Sequence, residues 1–325
     1  MSRPGRLVRD AASLLATHAA AAAVPRMPPR ARRGLGRAVG VLAAGVLRAD
    51  RRLVAEELRA SLGPGEVSPR LLRRSFAHIW LDGVEPHLYP YLGPHNIDQL
   101  VRLEGERHLR EALEPGRGVL LLIGHLGLNT LVMAALGHRG YRIHQLGAPP
   151  PVWREILGPE NVSPLAYRRY QRTWRNEQAL PARHISVFAF LRPAYRALKQ
   201  GDILCVAVDG GGGTRWVEVS FLGRRCNVSS GPATLAVRTG AAALPAFVVR
   251  GDDGRHRMIL EPPLAVGEGD RDEQVRDLTQ RFMARLEHWV RRHPEQYAGF
   301  LRLRRRAAAT DGRPFFTDYA GGRGG

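Results

Sequence analysis

The segment Gly118 to Gly124 constrains this chain more than any other. Five aliphatic residues, Val119-Leu120-Leu121-Leu122-Ile123, stand between two glycines and lead straight into His125. A run that short, with no polar face, fits a strand covered on both sides, as inner strands of α/β sheets are. Leu126 to Leu136 then carries apolar residues on every side and reads as a buried helix. The unit recurs. Ala189 to Gln200 reads as a helix, Gly201-Asp202 breaks it, and Ile203 to Val208 is a second apolar run ending at Asp209.

Helices and strands alternate around these units. Two helical stretches come first, Gly34 to Ser61 and Ser68 to Pro86, with Ser68-Pro69 as N-cap and first-turn pair of the second. Gly210 to Gly213 makes a turn, and no Gly-Lys-Ser/Thr follows it to form a phosphate loop. Trp216 to Phe221 alternates as an exposed or edge strand, and Ser229-Ser230-Gly231-Pro232 caps a helix reaching Thr239. Leu244 to Val249 and Arg257 to Leu260 are strands on either side of the Asp252-Asp253-Gly254 turn. From Glu273 to His293, Val275, Leu278, Phe282, Leu286 and Trp289 recur at helical steps. The pattern predicts an α/β domain with a mixed, mostly parallel central sheet flanked by helices. A basic Ala/Pro-rich arm occupies residues 1–33, the domain spans 34–305, and 306–325 is expected to be a flexible tail.

Composition narrows the function classes. At 325 residues and 44% hydrophobic content the chain can bury a large core. Its 49 Lys+Arg against 30 Asp+Glu leave +19, which calls for nucleic acid or anionic lipid as a partner, or reflects a GC-rich coding sequence. No helix-turn-helix, RNP or zinc-finger pattern accompanies the charge, so no nucleic-acid partner is expected. Cys205 and Cys226 are too few for a disulfide framework or a four-ligand zinc site, and the histidines lack metal-ligand spacing. No bound metal is expected, and the chain reads as reduced and intracellular. No stretch reaches the roughly 18 apolar residues of a spanning helix. Ala11 to Val24 resembles a signal-peptide core, but Pro25 to Arg30 is a poor cleavage site. That segment and Leu35 to Leu47 read as helices lying on or dipping into a bilayer interface, or else as ordinary helices packed on the core.

Four blocks carry a family resemblance. They are GVLLLIGHLGLNT (Gly118 to Thr130), LRPAYRALKQGDILCVAVD (Leu191 to Asp209), FLGRRCNVSSGPATLAVRTGAAALPAFVVR (Phe221 to Arg250) and WVRRHPEQYAGFLRLRR (Trp289 to Arg305). In order and spacing they resemble the bacterial lipid A (late) and lysophospholipid acyltransferases, including their phosphatidylinositol mannoside relatives. The resemblance implies transfer of a fatty acyl chain from an acyl-carrier-protein or coenzyme A thioester to a hydroxyl or amine of a lipid or glycolipid. No further cofactor is implied. The enzyme would sit at the anionic cytoplasmic face of the bacterial inner membrane, held by membrane-associating N-terminal helices.

His125 falls on the family's general base, at a strand end where open α/β folds keep their sites. A helix starting directly after it would aim N–H groups into the same space. The family's acid falls at position 130, where this chain has Thr130. Three readings follow. Asn129 or Thr130 can orient the imidazole without charge; Asp209 can replace the acid; or the chain is a catalytically silent lipid-binding relative. Substrate-binding candidates are Arg192 for an acceptor phosphate, Gly124 beside the base, Arg224 and Arg225 on a basic loop, and Ser229 and Ser230 at a helix start. Trp153, Trp174, Tyr167 and Tyr170 lie in an Arg-rich segment that lines an acceptor groove, touches the bilayer or forms a surface loop.

Overall fold

Both apolar runs are inner strands of one seven-stranded sheet in the computed structural model, which describes residues 19–149, 164–211, 213–308 and 313–322. The first half of the chain forms α1 (Pro29–Val46), α2 (Arg48–Leu62), α3 (Pro69–Val84), α4 (Ile97–Leu100), β1 (Val101–Glu104), α5 (Glu106–Leu113), β2 (Val119–Ile123), α6 (Leu131–Gly137) and β3 (Ile143–Gly147). Then come α7 (Pro164–Gln178), β4 (Arg183–Ser186), α8 (Arg192–Lys199), β5 (Ile203–Ala207), β6 (Trp216–Phe221), β7 (Arg224–Ser229) and α9 (Gly231–Thr239). The last elements are β8 (Ala242–Arg250), β9 (His256–Leu260), α10 (Arg271–Arg292) and α11 (Ala298–Ala307).

The sheet order is β1-β9-β8-β2-β5-β3-β4, and every pair is parallel except β8 with β9. The expected mixed, mostly parallel α/β architecture is therefore observed. Side chains alternate across β2: Leu120 and Leu122 join one core cluster, and Val119, Leu121 and Ile123 join another on the opposite face. Coverage on both sides explains why the strand tolerates no polar residue. α10 packs on the first face through Val275, Leu278, Phe282 and Leu286, capped by a reciprocal pair of Asp270 and Glu273. α6 packs on the second through Leu131 and Met133. Among the described residues no helix is long and apolar enough to cross a membrane.

Several expectations are corrected. The Gly34 to Ser61 helix is two helices that part at Leu47, because α1 docks on α3 while α2 docks on α11. The arm ends earlier than residue 33: Val24 is buried, α1 begins at Pro29, and Arg32 is buried beside Glu85 at 3.6 Å. No helix starts directly after His125; residues 125–130 form a loop and α6 begins at Leu131. Arg224 and Arg225 lie on β7, which pairs with β6 as an antiparallel ribbon, and not on a loop. The segment after residue 306 is anchored in its described part. Phe315 and Phe316 are fully buried, Tyr319 packs with them, and the Asn227 amide donates to the Phe315 carbonyl at 2.7 Å. Two aromatic side chains in the core outweigh the chain entropy that the terminal glycines suggested. Most of Ala11 to Val24, and Trp153, lie outside the described residues.

Candidate active site

Strand register builds the site. β2 and β5 pair from Val119↔Ile203 to Ile123↔Ala207, so the residues two beyond each strand end, His125 and Asp209, arrive side by side. Asp209 is wholly buried and the His125 ring is about two-fifths exposed. Imidazole Nδ1 lies 2.7 Å from Asp209 Oδ1, and the His125 backbone N–H donates to Oδ2 at 2.8 Å. Gly124 makes the approach possible. A Cβ there would fall 2.6 Å from Leu286 Cδ1 and 3.3 Å from Asp209 Oδ2. Gly127, at φ +57, turns the loop where any side chain would meet the Val248 carbonyl.

The first turns of α11 and the residues just before it pack against the site. Tyr297 is fully buried and donates its hydroxyl to Asp209 Oδ2 at 2.8 Å. Burial, then the neighbouring Asp209 carboxylate, push its phenol well above the usual value, so it stays a donor. Phe300 stacks on the His125 ring at 4.5 Å between centroids and 7° between planes, which fixes the imidazole's rotation. The Gln296 carbonyl accepts from Gly127 N–H, and its side-chain amide brackets the Arg250 backbone, tying the His125 loop to the end of β8. Arg304 reaches Gly211 on the turn after Asp209, with its guanidinium over Phe300 and Phe315. A carboxylate accepts, so in the neutral ring the contact with Asp209 favours the proton on Nδ1 and leaves Nε2 without one.

Residues 7–306 match the family described as bacterial lipid A biosynthesis acyltransferase. The chain belongs to that family. It is similar to a phosphatidylinositol mannoside acyltransferase of Mycolicibacterium smegmatis, 27% identical over 259 residues, spanning 77% of this chain and 80% of the relative. It also superposes on the 1-acyl-sn-glycerophosphate acyltransferase PlsC of Thermotoga maritima, with a TM-score of 0.36 and 16% identity over 80% of this chain and 98% of that one.

In this acyltransferase the other sequence candidates scatter. The Thr130 hydroxyl bonds the buried Tyr89 hydroxyl, and the Asn129 carbonyl accepts from Val132 N–H at the start of α6. Both hydrogen bonds that the structure gives His125 go to Asp209 instead. Arg192 stands exposed at the first turn of α8. Arg224 is engaged within the fold. Its guanidinium grips Asp318 through two bonds, at 2.8 and 2.5 Å, reaches Glu57 at 3.2 Å and stacks 3.7 Å over Phe316. Ser229 and Ser230 are buried at the start of α9, where Ser229 Oγ accepts from Gly231 N–H and the Ser230 carbonyl accepts from Thr234. Trp174 packs edge-on against His184 at 4.6 Å. Tyr297, Phe300 and Gln296 all lie within the Trp289 to Arg305 block, but spacing alone assigned them no role.

Proposed function

We propose that this enzyme moves a fatty acyl chain from an acyl-carrier-protein or coenzyme A thioester to a hydroxyl or amine of a lipid or glycolipid acceptor. The observation that carries this reading is the Asp209–His125 pair, with its acid just beyond β5 in place of the one expected at position 130. His125 Nε2 takes the proton of the acceptor as its oxygen or nitrogen attacks the thioester carbonyl. The new C–O or C–N bond forms, the C–S bond breaks, and the imidazolium returns its proton to the departing thiolate. Asp209 holds the ring's tautomer and stabilises its protonated form, while Tyr297 steadies Asp209. No cofactor beyond the thioester is needed for that chemistry.

The surface supports work at a membrane face. On α1, Leu35, Val41, Leu42 and Val46 are exposed, as is Leu47 beyond it. Phe188 and Phe190 are exposed on the loop after β4, at the same strand-end edge of the sheet as His125. Aliphatic and aromatic side chains amid arginines suit shallow seating on anionic headgroups, which supports our reading of a peripheral enzyme at the cytoplasmic face of the inner membrane. Purified enzyme incubated with labelled acyl-CoA or acyl-ACP and total membrane lipid should form a labelled lipid, and His125→Ala should abolish it. Equal labelling with both proteins would refute the reading.

A further inference from the structure

A second polar site lies where α1 crosses α3. Gly36 and Gly40 let the two helices close up: a Cβ on Gly40 would stand 2.6 Å from the Arg73 carbonyl, and one on Gly36 2.9 Å from Leu81 Cγ. That closeness brings two arginine stripes together, Arg33 and Arg37 from α1 and Arg70, Arg73 and Arg74 from α3, around a cavity of about 400 Å³ floored by Arg250. Some of this charge is met. Arg33 pairs with Asp252, Arg74 with Glu295 at 2.6 Å, and Arg250 with Glu85 and Asp82. Arg37, Arg70 and Arg73 line the same cavity, stand exposed to solvent and have no carboxylate partner among the described residues. Guanidinium stays charged and presents paired planar donors, so three of them facing one cavity suit a phosphate anion arriving from solution.

The cavity has an apolar lip. Val41 lines it, and Leu42 and Val46 continue along α1 into solvent. Its floor residue, Arg250, ends β8, which runs parallel to β2, and Gln296 binds both the Arg250 backbone and the His125 loop. Cavity and base therefore open on one edge of the sheet. We propose that this groove binds the phosphate of a phospholipid headgroup, with Arg37, Arg70 and Arg73 on the phosphate oxygens and the lipid's apolar part along Val41 and Leu42. The choice of a lipid as occupant rests on the acyltransferase reading; the binding itself does not.

The test is equilibrium binding of the full chain to monomeric dihexanoylphosphatidylglycerol, with inorganic phosphate and adenosine 3′,5′-bisphosphate as competing probes. Arg37→Gln/Arg73→Gln should weaken lipid binding about tenfold or more, while Arg52→Gln/Arg59→Gln, which removes the same charge from exposed α2 positions, should leave it within about twofold. The His125→Ala protein should bind lipid normally even where transfer is lost, which separates failure of this site from failure of the catalytic reading. Equal weakening in both double variants would reduce the effect to net charge and overturn the proposal. So would absence of lipid binding, inorganic phosphate binding as tightly as the lipid, or the adenosine bisphosphate outcompeting it, the last assigning the groove to a nucleotide thioester.

Discussion

Replacing Asp209 with Asn tests whether that carboxylate sets the tautomer of the His125 imidazole on which the proposed transfer depends. Oδ2 of Asp209 receives two donors, the His125 backbone N–H and the Tyr297 hydroxyl, while Oδ1 receives only His125 Nδ1. An Asn in the same place keeps more bonds by leaving its carbonyl oxygen with the two donors. Its NH₂ then faces Nδ1 and forces that nitrogen to accept, so the proton moves to Nε2, where the base is needed. The analogous change in a Ser-His-Asp triad lowers turnover about 10⁴-fold, or about 5 kcal/mol of activation free energy, with the geometry intact. We expect a loss of about 10³–10⁴ in acyl transfer for Asp209→Asn. Thermal stability should barely move, because two of the three bonds survive unchanged, the third only reverses direction, and a buried charge is removed. Radiolabelled acyl transfer gives the rate, and nitrogen NMR of labelled histidine gives the tautomer directly. A fold-intact variant that loses less than about tenfold in rate, or keeps its proton on Nδ1, would refute the reasoning.

Three further outcomes follow from the packing. Glu85→Gln should destabilise the protein by about 3–5 kcal/mol in urea unfolding, since it strips a partner from the fully buried Arg250 and His256. Burial alone would raise the Glu85 carboxyl, but Arg250 and His256 outweigh it and hold the group well below the usual range. Phe316→Ala should cost about 3–5 kcal/mol, where a flexible tail would give no change. Burial raises the Glu177 carboxyl to about 7. A raised carboxyl contributes stability below its unfolded value, and that contribution is lost as pH climbs through the folded one. Glu177→Gln should therefore stabilise the protein by about 1–3 kcal/mol at pH about 8 and make little difference at pH about 4, read from thermal melts at the two values.

The inner strands were legible because burial on both faces leaves an unmistakable apolar run. The outer strands were not. β1 (VRLE), β3 (IHQLG) and β4 (RHIS) lie at or near the sheet's edges, keep polar residues, and are only four or five residues long. The buried tail was hidden for a different reason. Its fate depends on Arg224, Glu57 and Asp318 converging from three distant parts of the chain, and no local pattern records that meeting. Arg224 reads in the sequence as a recognition residue, and only the fold shows its guanidinium fastening Phe316 and Asp318 to the ribbon of β6 and β7.

The acid shows most clearly what spacing can and cannot reveal. A carboxylate five residues after His125 would reach the imidazole along one loop, so its absence at Thr130 looked like a defect. The structure supplies the charge sideways instead, across a strand pair. His125 and Asp209 each stand two residues past an aligned pair, Ile123↔Ala207, so the strands deliver their side chains to the same side of the sheet. A slip of one residue in that register would turn Asp209 to the other face and break both of its bonds to His125. The apolar runs that end in Gly-His and in Val-Asp hold the register, because each must keep its alternate side chains in the two cores. The dyad is thus a consequence of the strands being buried, and the free hydroxyl of Thr130 is left to bond Tyr89 on the neighbouring 3-10 turn.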